Sequence, residues 1–286
     1  MSGAPRSITV FTRANPANAS HAVRRVVELG REAGIEVRIT ADEQEKHGVE
    51  EADGVVCGAD PDGDTGLAMV LGGDGTILTA LRRFAGRDIP VFAVNYGVVG
   101  FLASVENSEL DEGVRSALRG EFDVLELPVL TAETAADERI AVNDVSFHRR
   151  PSGRVAELAY SISGQELGEV RSDGLVVATA AGSTGYNLAN GGPVMAWGVD
   201  GYVVSFIAPH TLTARSLVVA PADVLEVTNR SHEEPVDMTT DGQAAGEVGP
   251  QESVSIRFGE RYSQLAQVPG ASFYRRMREK FGRLAS

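Results

Sequence analysis

The feature that most constrains this chain is an apolar run that breaks into a glycine-rich turn. Residues 67–71 are all apolar, the sequence Gly-Gly-Asp-Gly-Thr follows at 72–76, and a second apolar segment begins at Ile77. This order predicts a strand, a phosphate-binding loop and a helix, because glycines admit a close ligand and a helix N-terminus offers unpaired N–H groups to an anion. Asp74 fits there if it holds a metal ion or accepts a proton from a hydroxyl group.

The alternative for this turn is an ordinary Asp-Gly connection between a strand and a helix. Three glycines around one aspartate, closed by Thr76, favour the functional interpretation. The turn lacks the lysine of the P-loop and the spacing of the dinucleotide fingerprint. It resembles the GGDGT signature shared by NAD kinases and by the diacylglycerol, sphingosine and phosphofructokinase-type kinases, so it names a superfamily and no single activity.

Length and composition limit the remaining choices. The 286 residues suit two domains, and 43% hydrophobic with 23% charged residues is typical of a globular protein. No apolar run reaches the ~18 to 20 residues of a membrane span. The net charge of −14 argues against nucleic-acid and anionic-membrane partners. The N-terminus lacks the features of a signal peptide, so we expect a cytoplasmic protein.

The first part of the chain predicts an α/β, Rossmann-like domain. Residues 7–11 and 35–39 read as strands around a helix that Asn18 or Ser20 would cap. We expect residues 41–66 to form an acidic linker with a solvated face, in which Cys57 is a small packing residue.

A further buried strand is predicted at 90–94, and it ends in a second glycine-bearing turn at 95–102. Ligands of open α/β sheets collect at the carboxyl ends of strands, so this turn and 72–76 should line the same crevice. Asn107 or Ser108 would cap the helix that closes the domain.

From Phe122 the pattern changes to short alternating segments, which predicts a mostly-β, sandwich-like second domain. The strand candidates are 122–130, 139–149, 154–163, 174–179, 202–207, 217–220 and 252–258. Residues 272–284 read as an amphipathic helix that we expect to pack back on the first domain. The predicted division is therefore 1–121, 122–268 and 269–286.

Two stretches of the second part contain candidate binding residues. Asn143 and Asp144 are successive polar residues inside an apolar segment. They fit either a bulge or hairpin end in which backbone groups hydrogen-bond to the two side chains, or a site that binds a hydroxyl or amine of a nucleoside. Residues 171–193 join an Arg-x-Asp-Gly turn and a strand to a long run of small residues with one aromatic, Tyr186. Small residues let a flat ring approach the backbone, and Tyr186 offers a stacking face, so this stretch favours a ligand site over a plain loop.

Together these motifs resemble the NAD kinase family over nearly the whole chain and in the family's order. Besides 72–76, the matches are Asn143-Asp144, the block from Asp173 to Pro193, the Pro-His-x-Leu-x-x-Arg segment at 209–215, Asp241-Gly242-Gln243 and the tail from Phe273 to Lys280.

The resemblance implies ATP- and Mg²⁺-dependent phosphorylation of the adenosine-ribose 2′-hydroxyl of NAD, with Asp74 as the general base and no metal ligand assigned to the protein. It also implies a homodimer or homotetramer. The nucleotide-binding residues it implies are Gly72, Gly73, Gly75 and Thr76 for phosphate, Asn143 and Asp144 for adenosine, Arg171 for phosphate, Asp173 for the nicotinamide riboside, and Ser183, Thr184, Gly185 and Tyr186 for the dinucleotide pocket. His210 and Asp241 are weaker candidates, since a packed histidine and a hairpin turn explain them equally well.

The chain departs from the family pattern in two places. Val98 and Val99 replace a common Arg and Leu, and six positions of the 180–190 loop differ, namely Ala180, Ala181, Gly185, Asn187, Ala189 and Asn190. These changes leave the phosphoryl-transfer residues intact and leave the acceptor open between NAD and a nucleoside or related metabolite, because hydroxyls are lost at Ala181 and Ala189 and side-chain amides are gained at Asn187 and Asn190.

Three hypotheses follow from the sequence. The first is an NAD kinase. The second is a kinase of the same fold that phosphorylates a nucleoside or related metabolite, motivated by the altered loop. The third is a dinucleotide-binding regulator without turnover, against which Asp74, Asn143, Asp144 and Arg171 argue.

Overall fold

A computed structural model describes residues 3–13, 19–97, 100–134, 136–150 and 154–282. The chain divides into one unit of Met1–Glu126 with Ser263–Ser286 and a second unit of Leu127–Tyr262. The helices are α1 (Ser20–Glu32), α2 (Ala41–His47), α3 (Asp74–Arg83), α4 (Leu110–Leu118), α5 (Tyr186–Ala189) and α6 (Phe273–Phe281).

The strands fall into the same two units, except that β7 runs from the first into the second and β18 from the second into the first. They are β1 (Ser7–Thr12), β2 (Glu36–Thr40), β3 (Val55–Ala59), β4 (Leu67–Gly72), β5 (Pro90–Asn95), β6 (Val105–Glu106), β7 (Asp123–Glu133), β8 (Glu138–Ala141), β9 (Asp144–Arg149), β10 (Ala156–Ile162), β11 (Gln165–Ser172), β12 (Gly174–Ala178), β13 (Tyr202–Ile207), β14 (Leu217–Val219), β15 (Leu225–Asn229), β16 (Val236–Thr240), β17 (Gln243–Val248) and β18 (Ser253–Gln267).

The first unit is built on a parallel sheet in the order β3-β2-β1-β4-β5, continued by the end of β18. The strands β4 and β5 are buried along their whole length, which explains their continuous apolar sequences. The predicted Rossmann-like α/β architecture is confirmed.

The predicted linker at 41–66 is wrong, since it contains α2 and β3. The Thr40 hydroxyl accepts a hydrogen bond from the Glu43 amide and so begins α2. The predicted solvated face is also wrong at Glu43, which is buried and accepts hydrogen bonds from the Thr12 amide and hydroxyl. Buried polar contacts of this kind leave no periodic signal. Cys57 is half-buried against the core, as expected for a packing residue.

The predicted helix caps are wrong where the structure describes them. Ala19 occupies the N-cap of α1 and Ser20 is its first helical residue, while Asn18 lies outside the described residues. Before α4, Glu106 and Glu109 form a reciprocal capping box around a 3-10 turn, so neither Asn107 nor Ser108 is the cap.

The second unit contains two antiparallel sheets, as the predicted sandwich-like domain requires. One has the order β11-β10-β15 and continues into β18, and the other has the order β14-β13-β12-β9-β16-β17. Residues of both sheets share one apolar core that includes Phe147, Leu158, Tyr202 and Ile256. The segment predicted as one strand at 139–149 is two strands, separated at Val142 and Asn143.

In the second unit, four strands were not predicted from the sequence, namely β11, β15, β16 and β17. Strands β11 and β17 each bury only two positions, Val170 and Ser172 in β11 and Ala245 and Val248 in β17, so their apolar signal is short. Helix α6 belongs to the first unit, where Phe273 and Phe281 pack on the ring of Phe101. No helix within the described ranges is long and apolar enough to cross a membrane.

Candidate active site

The glycine-rich turn leads from β4 directly into α3. A β-carbon on Gly72 would lie 2.7 Å from the Thr76 hydroxyl oxygen, so Gly72 is required for the turn to pack on Thr76. The Thr76 amide donates to the Gly73 carbonyl at 2.9 Å. That amide therefore already has one acceptor within the turn. The N–H groups of Gly73, Asp74 and Gly75 precede the first complete helical turn and have no intrahelical acceptor.

The Asp74 side chain points from the start of α3 to the second glycine-bearing turn, at residues 95–102. Its carboxylate accepts hydrogen bonds from the amides of Phe101 at 2.9 Å and Leu102 at 3.3 Å. Gly100 lies against the same carboxylate, because a β-carbon there would be 1.9 Å from Asp74 Oδ1. The two amides and this glycine fix the orientation of the Asp74 carboxylate.

Asn95 shapes the second turn and was missed as a site residue. Its buried side chain donates to Glu106 at 3.0 Å and accepts from the Gly97 amide at 2.9 Å. Gly97 in turn lies against Gly73, since a β-carbon on Gly97 would be 3.3 Å from the Gly73 Cα. The two glycine-bearing turns therefore meet, as predicted. Val98 and Val99 lie outside the described residues.

In the second unit, Asp241 organises the break between β8 and β9. Its carboxylate accepts hydrogen bonds from the amides of Val142, Asn143 and Asp144, at 3.1, 2.7 and 3.2 Å. Asp241 and Gly242 also form the two-residue hairpin turn between β16 and β17, and both have positive φ. The hairpin interpretation is therefore correct, and the same residue also holds the Asn143-Asp144 pair.

Burial governs the electrostatics of this pair. Desolvation, with a smaller contribution from the charge of Asp241, raises the pKa of Asp144 to about 7. The Asn143 side-chain oxygen is buried and finds no hydrogen-bond partner within the described ranges. A buried unpartnered acceptor at a strand break suits a ligand that brings its own donor.

The small-residue loop packs directly on Asn143. The Thr179 amide donates to the Asn143 carbonyl at 2.9 Å. A β-carbon on Gly182 would lie 2.0 Å from that carbonyl oxygen, so only glycine fits. The Ser183 hydroxyl is buried and bonds to Ala180 and Met195 backbone atoms, which gives it a structural role. Thr184 donates to the Ala181 carbonyl at 3.2 Å.

Tyr186 presents one face of its ring to His148, with ring centroids 5.6 Å apart and planes 24° apart. His148 was not predicted as a site residue. Burial raises the pKa of Tyr186, and the negative charges of Asp144 and Asp173 add to that effect. Asp144 and Asp173 therefore each lie within electrostatic reach of Tyr186.

The loop amides that differ from the family pattern bond internally. Asn187 is fully buried and donates to the carbonyls of Ser183 and Pro193, both at 3.0 Å. Asn190 donates to the Tyr186 carbonyl at 2.8 Å. The new side-chain N–H groups therefore give no support to a nucleoside acceptor, because they are used within the loop, whereas the buried Asn187 Oδ1 has no hydrogen-bond partner within the described residues.

Arg171 and Asp173 belong to separate contacts. Asp173 pairs with Arg149 at 2.6 Å, whereas Arg171 is exposed and pairs with Glu157 at 3.2 Å. Arg171 also lines a cavity of about 480 Å³ that does not include Asn143 or Tyr186. His210 is exposed, so the packed-histidine alternative is wrong. The described residues contain no group of three or more His, Cys, Asp or Glu side chains arranged to hold a metal ion.

Two family models cover most of the chain. The ATP-NAD kinase N-terminal domain matches residues 11–122, and the ATP-NAD kinase C-terminal domain matches residues 142–268. A protein named NAD kinase from Gemmatimonas aurantiaca is 37% identical over 224 residues, 75% of this chain and 76% of that protein. One of the same name from Syntrophotalea carbinolica is 30% identical over 97% of this chain and 98% of its own length.

Solved structures share the fold. Yeast NADH kinase, solved with NADH, superimposes with a TM-score of 0.89 at 19% identity, over 99% of this chain and 89% of that one. An NAD kinase from Archaeoglobus fulgidus, solved with ATP, gives a TM-score of 0.73 at 23% identity, over 96% and 97%. Both family models, found in order on a chain with the expected α/β and mostly-β units, show that this chain belongs to the ATP-NAD kinase family.

Proposed function

We propose that this chain transfers the γ-phosphoryl group of ATP to the adenosine-ribose 2′-hydroxyl of NAD, giving NADP⁺ and ADP. The observation that carries the proposal is the Asp74 carboxylate, fixed by the amides of Phe101 and Leu102 beside the N-terminus of α3. Relatives of this chain named NAD kinase support the choice of substrates.

Asp74 is the general base in this proposal. The hydroxyl proton passes to its carboxylate as the ribose oxygen attacks the γ-phosphorus, and the bond from that phosphorus to the β–γ bridging oxygen breaks, with its electron pair leaving on ADP. The N–H groups of Gly73, Asp74 and Gly75, which have no acceptor within α3, hold phosphate oxygens. Gly72 and Thr76 support this loop by packing on each other.

The Asn143 side-chain oxygen and the Asp144 carboxyl group hold the adenosine portion of NAD. The buried acceptor of Asn143 supports this role, since it has no partner within the described residues. Tyr186, Gly185 and Thr184 line the dinucleotide pocket, with Ser183 acting through the backbone that it fixes. In this proposal Asp173, which pairs with Arg149, contacts the nicotinamide riboside. The exposed guanidinium of Arg171 contacts a phosphate.

Magnesium fits the chemistry of this donor set. Mg²⁺ commonly binds through substrate phosphates, so it would be held here by the phosphate oxygens that the N–H groups of Gly73, Asp74 and Gly75 bind. When bound, the ion would neutralise charge on the transferred phosphoryl group.

We also infer a homodimer or homotetramer, a cytoplasmic location and a division of the chain into 1–121, 122–268 and 269–286, as the sequence suggests.

The test is incubation of the purified protein with ATP and Mg²⁺ and either NAD, NADH or a nucleoside panel. Products are identified by mass and by oxidation of substrate with an NADP⁺-specific dehydrogenase. NADP⁺ from NAD supports the proposal. Phosphorylation of a nucleoside without formation of NADP⁺ would overturn the assignment of NAD as the phosphoryl acceptor. Tight NAD binding without ATP consumption would indicate a regulator.

A further inference from the structure

The segment 101–103 is held from two opposite sides by its backbone. On one side the amides of Phe101 and Leu102 donate to Asp74. On the other side the carbonyls of Phe101 and Ala103 accept hydrogen bonds from the Arg276 guanidinium, each at 2.6 Å. The amides that fix Asp74 therefore belong to peptide groups that Arg276 holds in place.

The C-terminal residues add further contacts to the same segment. The Gln267 side chain donates to the Leu102 carbonyl at 3.2 Å and accepts a hydrogen bond from Arg276. The Lys280 ammonium lies 4.6 Å from the centroid of the Phe101 ring. Three consecutive carbonyls, at 101, 102 and 103, are thus satisfied by side chains from residues 267–276.

The Arg276 side chain is half-buried, and charged residues surround it. Burial lowers the pKa of Arg276, while the negative charges of Asp74, Glu279 and Glu106 offset part of that effect. Arg276 Nη1 donates to both carbonyls while Nη2 donates to the Gln267 side chain, a fork of two donor nitrogens that the single nitrogen of lysine cannot reproduce. The position therefore suits arginine for the shape of its donors as well as for its charge.

We propose that Arg276 is a positioning residue for phosphoryl transfer, which holds segment 101–103 so that its amides aim the Asp74 carboxylate. This inference rests on the proposed function, in which Asp74 is the base. It makes the C-terminal helix α6 part of the catalytic apparatus without contact to either substrate. A displacement of about 1 Å of a catalytic group lowers rates by about 10²-fold, so loss of these bonds should act on kcat.

The test compares Arg276→Met, Arg276→Lys and the control Arg278→Met, which changes an exposed arginine on the same helix. We expect Arg276→Met to lower kcat by about 10- to 100-fold with KM for NAD and ATP changed less than about threefold. Arg276→Lys should recover part of the loss, and Arg278→Met should match the unchanged enzyme. Thermal unfolding of each variant shows whether α6 still packs.

A double-mutant cycle with Asp74→Asn separates positioning from general structural support. If Arg276 acts through Asp74, Arg276→Met should change kcat by less than about threefold in the Asp74→Asn background. Equal losses in both backgrounds, or unchanged kcat in Arg276→Met, would overturn the inference. Should Arg276→Met not fold, Arg276→Lys carries the same cycle.

Failure of this inference is distinguishable from failure of the proposed function. If the unchanged protein forms no NADP⁺, the function is wrong. If it forms NADP⁺ and Asp74→Asn is fully active, the assignment of the base is wrong and the inference falls with it. If Asp74→Asn is impaired and Arg276→Met is not, only the role of Arg276 is wrong.

Discussion

Gly100 and Asp74 lie so close together that a β-carbon on residue 100 would be 1.9 Å from Asp74 Oδ1. Gly100→Ala must therefore displace the Asp74 carboxylate from the amides of Phe101 and Leu102. We expect kcat for NADP⁺ formation to fall by about 10²-fold, because the general base moves away from the reacting hydroxyl. Steady-state kinetics with ATP and NAD measure this change.

Gly198→Ala is the matched control for that substitution, because a β-carbon on Gly198 has no atom within 4 Å. Its kinetics should equal those of the unchanged protein. Wild-type kcat in Gly100→Ala would show that Asp74 tolerates displacement and would contradict its role as an oriented base.

Asp241→Ala should weaken NAD binding and lower stability together. The substitution removes the acceptor of the Val142, Asn143 and Asp144 amides. A buried donor left without a partner costs about 1–3 kcal/mol, so the free energy of unfolding should fall by at least that much. KM for NAD should rise by about tenfold, since the Asn143-Asp144 backbone loses its support.

The exposed Asp200→Ala is the control for charge. Urea unfolding and NAD titrations of the two variants test the expectation. An Asp241→Ala protein with unchanged KM for NAD would mean that the strand break at 142–144 has no part in binding the dinucleotide.

Asn187→Ser restores the residue common in the family, yet we expect it to destabilise the protein without changing the acceptor. The carbonyls of Ser183 and Pro193 would each lose a hydrogen bond, which costs about 1–3 kcal/mol for a buried group. Product analysis with NAD and the nucleoside panel should give the same acceptor for both proteins. A change of acceptor would revive the hypothesis that this loop selects a nucleoside.

Asp144 should make stability depend on pH. Its pKa is raised from an ordinary 3.8 to about 7 in the folded protein, so between these values the folded state binds more protons than the unfolded state. The contribution of Asp144 to stability is therefore present at low pH and is lost as the pH rises from about 4 to about 7.

Asp144→Asn removes this titration. We expect the difference in free energy of unfolding between Asp144→Asn and the unchanged protein to move in favour of the variant as pH rises through that window. Denaturant titrations of both proteins at about pH 5, 6, 7 and 8 measure this difference in the free energy of unfolding. A difference that stays constant would show that the Asp144 carboxyl group titrates normally.

The sequence predicted the parts of the molecule whose signals are local. The apolar runs of β4 and β5 and the glycines of the first turn are readable without tertiary information. The contact of Asp74 with Phe101 and Leu102 joins residues 27 and 28 positions apart, and no spacing rule predicts it.

The same limit applies to the second unit. Asp241 reaches Asn143 across 98 residues, and the sequence alone left it as a hairpin turn or a weak site candidate. The loop amide of Asn187 read as a new ligand donor because its carbonyl partners, one of them six residues away, depend on the fold of the loop. Side-chain to backbone contacts decide these sites, and they carry little periodic signal.

The most direct test of the account is the rate of NADP⁺ formation from ATP and NAD by Asp74→Asn beside the unchanged protein, with Mg²⁺ and both substrates saturating. We predict that the unchanged protein forms NADP⁺ and that Asp74→Asn is slower by about 10²- to 10⁴-fold while it remains folded. Equal rates for the two proteins would contradict the role of Asp74 as the base that activates the ribose hydroxyl.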